Sequence, residues 1–242
     1  ISFTEALQHF QSAELSESRG KVWMPGRQRG LAALLHCLWG PPRLRPQLRG
    51  ERALVLAMTQ CALDDSERVH MRILQTIYRQ LTRSRLGCPR YGAHWEELGF
   101  QGRTGSSPLP GEIPRPIPKI QLNLPWSSSV LSQLPQPLPV LPTQLHCPPL
   151  DNFPFCIMSV NITRIVIQAL REERLSRECN RRQQVLGVLN DLYAAAFLRL
   201  FRRWKQQHGT IADAGFFLKE LELSTKKKPR QLLKSLEAYV SC

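Results

Sequence analysis

Apolar positions recur at helical rather than strand spacing along most of this 242-residue chain. The strongest stripe is Val185, Leu189, Leu192, Tyr193, Ala196, Phe197, Leu200 and Trp204, whose steps of three and four keep one face of a helix apolar. Val69, Ile73, Ile77 and Leu81 form a second stripe, with Arg68, Arg72, Arg79 and Arg83 between them, and Gly87-Cys88-Pro89 is the predicted stop. Leu31, Leu34, Leu35 and Leu38 share a face ahead of Gly40-Pro41-Pro42, and Ala53 to Leu63 reads as a further apolar helix. Ile157, Val160, Ile165 and Leu170 predict a helix from Phe155 to about Arg177. Phe216, Phe217, Leu221 and Leu223 mark another, and Leu232, Leu233, Leu236, Tyr239 and Val240 are the inward positions expected of a last one. No convincing period-two alternation interrupts this series, so the fold class is all-α.

Local punctuation agrees with these elements. Ser2-Phe3-Thr4-Glu5 has the spacing of a capping box and starts a short helix through about Phe10. Thr210 with Asp213 reads as a capped start, and Lys228-Pro229 places a proline at the first position of the last helix. Residues 16–30 are polar and glycine-punctuated, a connector.

Composition divides the chain where the helical pattern fails. Residues 103–150 hold 12 of the 19 prolines and four charged side chains. Each proline fixes φ and removes a donor, so the expectation there is loop or polyproline II, without a packed core. Four regions follow: an N-terminal extension over 1–30, a first helical half over 31–102, an atypical proline-rich insert over 103–150 and a second helical half over 151–242. The chain opens Ile1-Ser2-Phe3 without a Met, as a fragment of a longer protein would. No apolar run is long enough to span a bilayer as a helix.

The net charge of +14 calls for an acidic partner: a protein face, anionic lipid or nucleic acid. Arg164, Arg171, Arg174, Arg177, Arg181 and Arg182 could line adjoining helices, but Glu172, Glu173 and Glu178 stand close enough in sequence to pair with them. The ordinary solvated face is therefore the favoured reading. Lys226-Lys227-Lys228 stands at a helix start, where cations are mildly unfavourable, and reads as a solvated linker with at most weak contact to anionic membrane. The seven cysteines are odd in number, widely spaced and without a C-x-x-C pair, so no metal site is expected. Cys37, Cys61 and Cys156 lie among apolar neighbours, as buried free thiols of a reducing compartment do. Asn161-Ile162-Thr163 matches a glycosylation acceptor but falls inside a helical pattern.

Familiar catalytic patterns are missing. The six histidines are scattered, none pairs with a Ser or Cys in a nucleophile motif, and no glycine-rich phosphate loop occurs. Pro139-Val140-Leu141-Pro142 is the sole P-x-x-P match and lacks a flanking cation, which argues against SH3 recognition.

The most informative motif is His94-Trp95-Glu96-Glu97-Leu98-Gly99-Phe100-Gln101-Gly102. It resembles the opening of the ELMO (engulfment and cell motility) domain signature, W-x-x-L-G-F-Q-G, which continues after a short turn into D-F/L-R-G. Leu31-Ala32-Ala33-Leu34, Trp39-Gly40-Pro41-Pro42 and Val69-His70 to Tyr78 resemble that family's leading helices. Phe153 to Thr163 resembles its later core helix, and Leu175 to Arg181 resembles the ELMO domain-containing proteins within it.

The resemblance implies a helical regulator that stimulates GTP hydrolysis on Arf-family or Arf-like small GTPases, needs no cofactor, and works in the cytoplasm, at actin-rich or ciliary structures. It assigns partner binding to Trp95, Leu98, Gly99, Phe100, Gln101 and Gly102, although Trp95 and Phe100 also suit core anchors that hold the adjoining loop. In such regulators an arginine offered to the nucleotide offsets charge building on the phosphoryl oxygens, worth ~10³–10⁵ in rate. By family spacing that arginine falls near Pro110, which cannot perform this chemistry. Arg103 comes too early and Arg115 too late, leaving both as weak substitutes, and two apolar helices that follow the motif in the family are also missing. An alternative or wrongly assigned exon over 103–150 would account for this. The expectation is GTPase recognition without catalysis, against a non-catalytic scaffold tied to the actin cytoskeleton; nucleic-acid binding has only the charge in its favour.

Overall fold

The computed structural model describes residues 1–12, 42–59, 66–82, 84–89 and 153–241. Among them are eight α-helices and no strand: α1 (Phe3–Ser12), α2 (Arg49–Met58), α3 (Arg68–Thr82), α4 (Phe155–Arg171), α5 (Ser176–Arg182), α6 (Leu186–Gln206), α7 (Ala214–Lys227) and α8 (Pro229–Val240). The all-α expectation holds. Short 3₁₀ turns at Pro46–Leu48 and Ile211–Asp213 lead into α2 and α7. The helix expected over Leu31 to Leu38, the connector 16–30 and the proline-rich segment 103–150 lie outside the described residues.

α6 is the axis. All eight residues of its predicted stripe are buried, and Ala194, Ala195 and Leu198 are buried as well. A helix enclosed on so many sides must be packed by several neighbours, and α6 touches α2, α4, α5, α7 and α8. Its core joins Met158, Ile162 and Val166 of α4, Phe217 and Leu221 of α7, and Leu232, Leu233 and Leu236 of α8. A second core joins Ala6 and Phe10 of α1, Leu54 and Met58 of α2, and Ile73, Leu74 and Ile77 of α3. α2 serves both, because Val55 and Leu56 point into the first core while Leu54, Ala57 and Met58 point into the second.

Helix ends show where sequence periodicity misleads. The single helix expected from Phe155 to about Arg177 is broken: α4 stops at Arg171 and α5 begins at Ser176. Glu173 takes a left-handed φ of 59°. Around it Arg174 N–H donates to Ala169 O (3.0 Å) and Glu173 N–H to Leu170 O (3.2 Å), closing the terminus as a Schellman motif. Gln183 (φ 54°) ends α5 and His208 (φ 49°) ends α6 in the same way, with six-to-one bonds from Gln184 to Cys179 and from Gly209 to Trp204. None of the three is a glycine, so the usual composition signal for a helix end is missing. Glycine appears one residue later, at Gly209, where an added Cβ would stand 2.7 Å from the Phe217 ring and 3.0 Å from Trp204.

Other boundaries shift. α2 starts at Arg49 rather than Ala53, because the 3₁₀ turn at Pro46–Leu48 feeds it directly. α3 ends at Thr82, short of Gly87: the Thr82 hydroxyl donates to Tyr78 O (2.8 Å) and accepts from Ser84 N–H (3.2 Å). Val240 is 54% exposed rather than inward. The Ser2 cap is present, accepting from Glu5 N–H at 3.1 Å, as is the Thr210–Asp213 pairing, with Thr210 N–H donating to Asp213 Oδ2 at 3.0 Å. The Asn161 acceptor motif sits inside α4, with Thr163 buried and Asn161 Nδ2 donating to Ile157 O.

Two adjacent residues of α2 close two other helices. Glu51 accepts from Val185 N–H (2.9 Å) and Leu186 N–H (2.8 Å), covering free amides at the α6 N-terminus. Arg52, itself buried, donates to Arg171 O (3.2 Å) at the α4 C-terminus and stands 3.9 Å from Glu173. Each charge meets the helix end of opposite sign. Asn180 reinforces the junction, accepting from Arg45 N–H and donating to Arg43 O, both at 2.9 Å. Glu51→Ala is expected to cost about 1–3 kcal/mol, because it strands part-buried amides. Glu51→Gln, which keeps one acceptor, is expected to cost less. Denaturant unfolding monitored by far-ultraviolet circular dichroism measures both; equal stability of Glu51→Ala and the parent would contradict the role.

Candidate functional site

The chain enters the motif-bearing segment after Pro89 and returns at Phe153. Both margins are anchored. Cys88 is buried in the α1–α2–α3 core, and burial pushes its thiol above the usual value. Phe153 stands edge-on to Phe197, Phe201 and Trp204, with ring centroids 5.7, 5.4 and 5.4 Å away. Phe155 tilts onto Phe197 at 5.2 Å and packs against both cores. The two cores thus hold the ends of the segment that carries the motif. Trp95, Leu98, Gly99, Phe100, Gln101 and Gly102, with the two substitute arginines Arg103 and Arg115, lie outside the described residues.

Electrostatics around α4 and α5 follow the solvated-face reading. Arg174 pairs with Glu172 (3.7 Å), Arg164 reaches Glu222 (4.0 Å), and Arg182 bridges Asp191 and Glu237. Arg181 clamps Glu178 through Nε (2.9 Å) and Nη2 (2.7 Å), although the Glu178 side chain is only 3% exposed. Both donors meet the same oxygen, Oε2, and burying that carboxylate is tolerable because these hydrogen bonds are charge-assisted.

The lysine run is resolved differently from its sequence reading. Lys226 and Lys227 stand in the last turn of α7, where the helix end favours cations. Lys226 is no solvated linker: its ammonium lies 2.8 Å from Glu172 and 3.0 Å from Glu222. It therefore ties α7 to the C-cap of α4. Burial works to raise the Glu172 carboxyl, but the hydrogen bonds from Lys226 and Gln168 outweigh it and hold the group below the usual glutamate value. The same contacts, led by Glu172, raise Lys226.

Nothing among the described residues assembles into a nucleophile or a metal centre. No group of three His, Cys, Asp or Glu side chains there could hold a metal ion. Cys179 is fully buried, and burial, aided by the nearby Glu51 and Glu178 charges, pushes its thiol up to about 12, so it remains a protonated core group. Sequence reasoning missed the Glu51–Arg52 pair, because an acid in a first helical turn reads as a partner of its own helix rather than of one 134 residues away.

Comparison with known proteins gives a consistent result. The model of the ELMO/CED-12 family matches residues 53–108 and 132–218. ELMO domain-containing protein 3 of Bos taurus is 51% identical over 241 residues, that of Homo sapiens 50% over 241, and that of Mus musculus 48% over 242. Each alignment covers all of this chain and 62% of the relative, so the chain spans under two thirds of their length. The aligned spans run through the proline-rich segment, whereas the family model leaves 109–131 unmatched. No solved structure matches.

Lys226→Met tests the bridge between α4 and α7. It is expected to lose about 1 kcal/mol at neutral pH. Since Glu172 has a folded pKa below its unfolded one, its contribution is full above the usual carboxylate pKa, near 4.3. That contribution disappears as pH falls through the lower folded value. The stability gap between parent and variant should therefore close in acid, read from urea midpoints across the pH series. A gap that persists unchanged below that range would assign the loss to packing instead.

Proposed function

The chain belongs to the ELMO/CED-12 family, and from that premise we propose that it is a regulator of Arf-family or Arf-like small GTPases which recognises its partner without supplying the catalytic arginine. The observation that carries this reading is the run Trp95 to Gly102, which falls inside the matched span 53–108, followed by Pro110 where the family's arginine is expected. Support comes from the anchoring of both flanks, at Cys88 and Phe153, by separate cores. A segment whose two ends are fixed by the helical body is restricted in where it can meet a partner's surface.

Chemically, an activator of this kind adds little beyond placement and charge. The partner holds nucleotide and magnesium, and the arriving guanidinium stabilises negative charge that grows on the phosphoryl oxygens. Proline offers neither charge nor donor. In the form carried by this chain, contact with the GTPase would leave its intrinsic hydrolysis rate unchanged. A non-catalytic scaffold, associated with actin-rich or ciliary structures, is the second reading, and the absent D-x-R-G half of the signature favours it.

Single-turnover GTP hydrolysis by a panel of Arf-like GTPases separates these readings. The chain as it stands is expected to give no acceleration. A version carrying a D-x-R-G segment after Gly102 is expected to accelerate hydrolysis by ~10³-fold or more with the cognate GTPase. Equal acceleration by both would move the role to Arg103 or Arg115. Acceleration by neither, with no binding to any GTPase, would reject GTPase regulation and leave the scaffold.

A further inference from the structure

α7 has two faces of opposite character. Inward, Phe217, Leu221 and Thr225 are buried. Outward, Phe216 is 63% exposed and Leu223 49%. Steps of three and four place Phe216, Lys219, Leu223 and Lys227 in one row, so that a ring, an ammonium, an isobutyl group and an ammonium follow one another along it. Ile211, 70% exposed, stands in the 3₁₀ turn just ahead. Apolar side chains at such exposure gain little from folding, and their alignment with cations along one row suits a contact surface.

The charge along this row is of one sign. The two acids of α7 are already engaged, Glu220 by Arg199 and Arg203 (both 3.6 Å) and Glu222 by Lys226 and Arg164. Lys219, Lys227 and Lys228 are exposed, and no carboxylate among the described residues pairs with them. At the C-terminal end of the row, α6, α7 and α8 enclose an open cavity of about 300 Å³. Leu223 and Leu232 line it, together with Arg199, Glu220, Ser224, Lys227, Lys228 and Gln231. Its cations are Arg199, Lys227 and Lys228, its one carboxylate, Glu220, is already held by Arg199 and Arg203, and the apolar row runs into it at Leu223.

We propose that this face of α7 docks on an anionic lipid surface. Phe216 and Leu223 enter the boundary between headgroups and acyl chains. Lys219, Lys227 and Lys228 meet headgroup phosphates, and the cavity takes one of those headgroups. The single sign of charge along the row selects an anionic surface, because Glu220 and Glu222 are engaged and Lys219, Lys227 and Lys228 stand exposed. Its surface is the convex outside of a helix, with two apolar anchors about 10 Å apart. A protein would have to present an apolar groove edged with acids. A fluid bilayer needs no preformed shape, and lysine stems extend to reach a plane of phosphates.

Flotation of the 242-residue chain with vesicles tests this. One set is phosphatidylcholine alone and the other contains about one third phosphatidylserine. Binding is expected only to the anionic set. The double variant Phe216→Ser with Leu223→Ser is expected to bind about tenfold more weakly or worse, and Lys219→Glu with Lys227→Glu to fall by a similar factor. Unchanged thermal melts would show that both variants remain folded, as these exposed positions allow. No binding to anionic vesicles overturns the proposal. So does binding that neither double variant weakens, because the charge of the whole molecule would then suffice. If Phe216→Ser with Leu223→Ser abolishes capture of a GTPase while vesicle binding stays intact, the row is a protein interface and the proposal falls. Vesicle binding involves no nucleotide, so its result is separate from the hydrolysis assay.

Discussion

The charge pair Glu51–Arg52 settles a problem that the central helix creates. A helix enclosed by neighbours cannot send all its terminal amides and carbonyls to water, and an unmet one inside the protein is expensive. α6 begins at such a place, and α4 ends at one. α2 delivers a carboxylate to the first and a guanidinium to the second from consecutive positions. The same residues orient α2 so that its remaining side chains divide between the two cores. The core on the far side of α2 holds α1, α3 and Cys88, with Phe155 packed against it.

Charge is used in two ways. Several arginines are drawn into pairs that join elements, as Arg182 joins α5 to α6 and α8, and Arg52 joins α2 to α4. Their planar, multi-donor heads suit contacts of this kind. Among the described residues, exposed Lys219, Lys227 and Lys228, for which no ion pair forms, stand on α7 and at the α7–α8 junction. The large positive charge of the chain is therefore partly internal mortar and partly a surface of defined location.

Much of the frame was legible in the sequence. The stripe from Val185 to Trp204 and the row of Val69, Ile73 and Ile77 carry their burial in their spacing. So do Ser2, Thr210 and Pro229 at helix starts. The break after Arg171 was not legible, because Glu173 adopts a conformation its residue type seldom announces. The reach of Glu51 was hidden for another reason: it is a tertiary contact, and local spacing carries no trace of one. Exposed Phe216 beside buried Phe217 illustrates the same limit, since α7 meets its neighbours on one side and spacing alone does not say which of two adjacent rings takes that side. The candidate partner-binding residues were legible as a motif alone.

The clamps at Glu51 and Asn180 join positions 134 to 137 residues apart. Loop closure over such a span costs about 4 kcal/mol of chain entropy, plus a constant, yet doubling it adds only about 0.6 kcal/mol. Once the frame meets the first cost, the separation of the clamped positions along the chain is a weak term in stability, and a connection twice as long would be held by the same few hydrogen bonds.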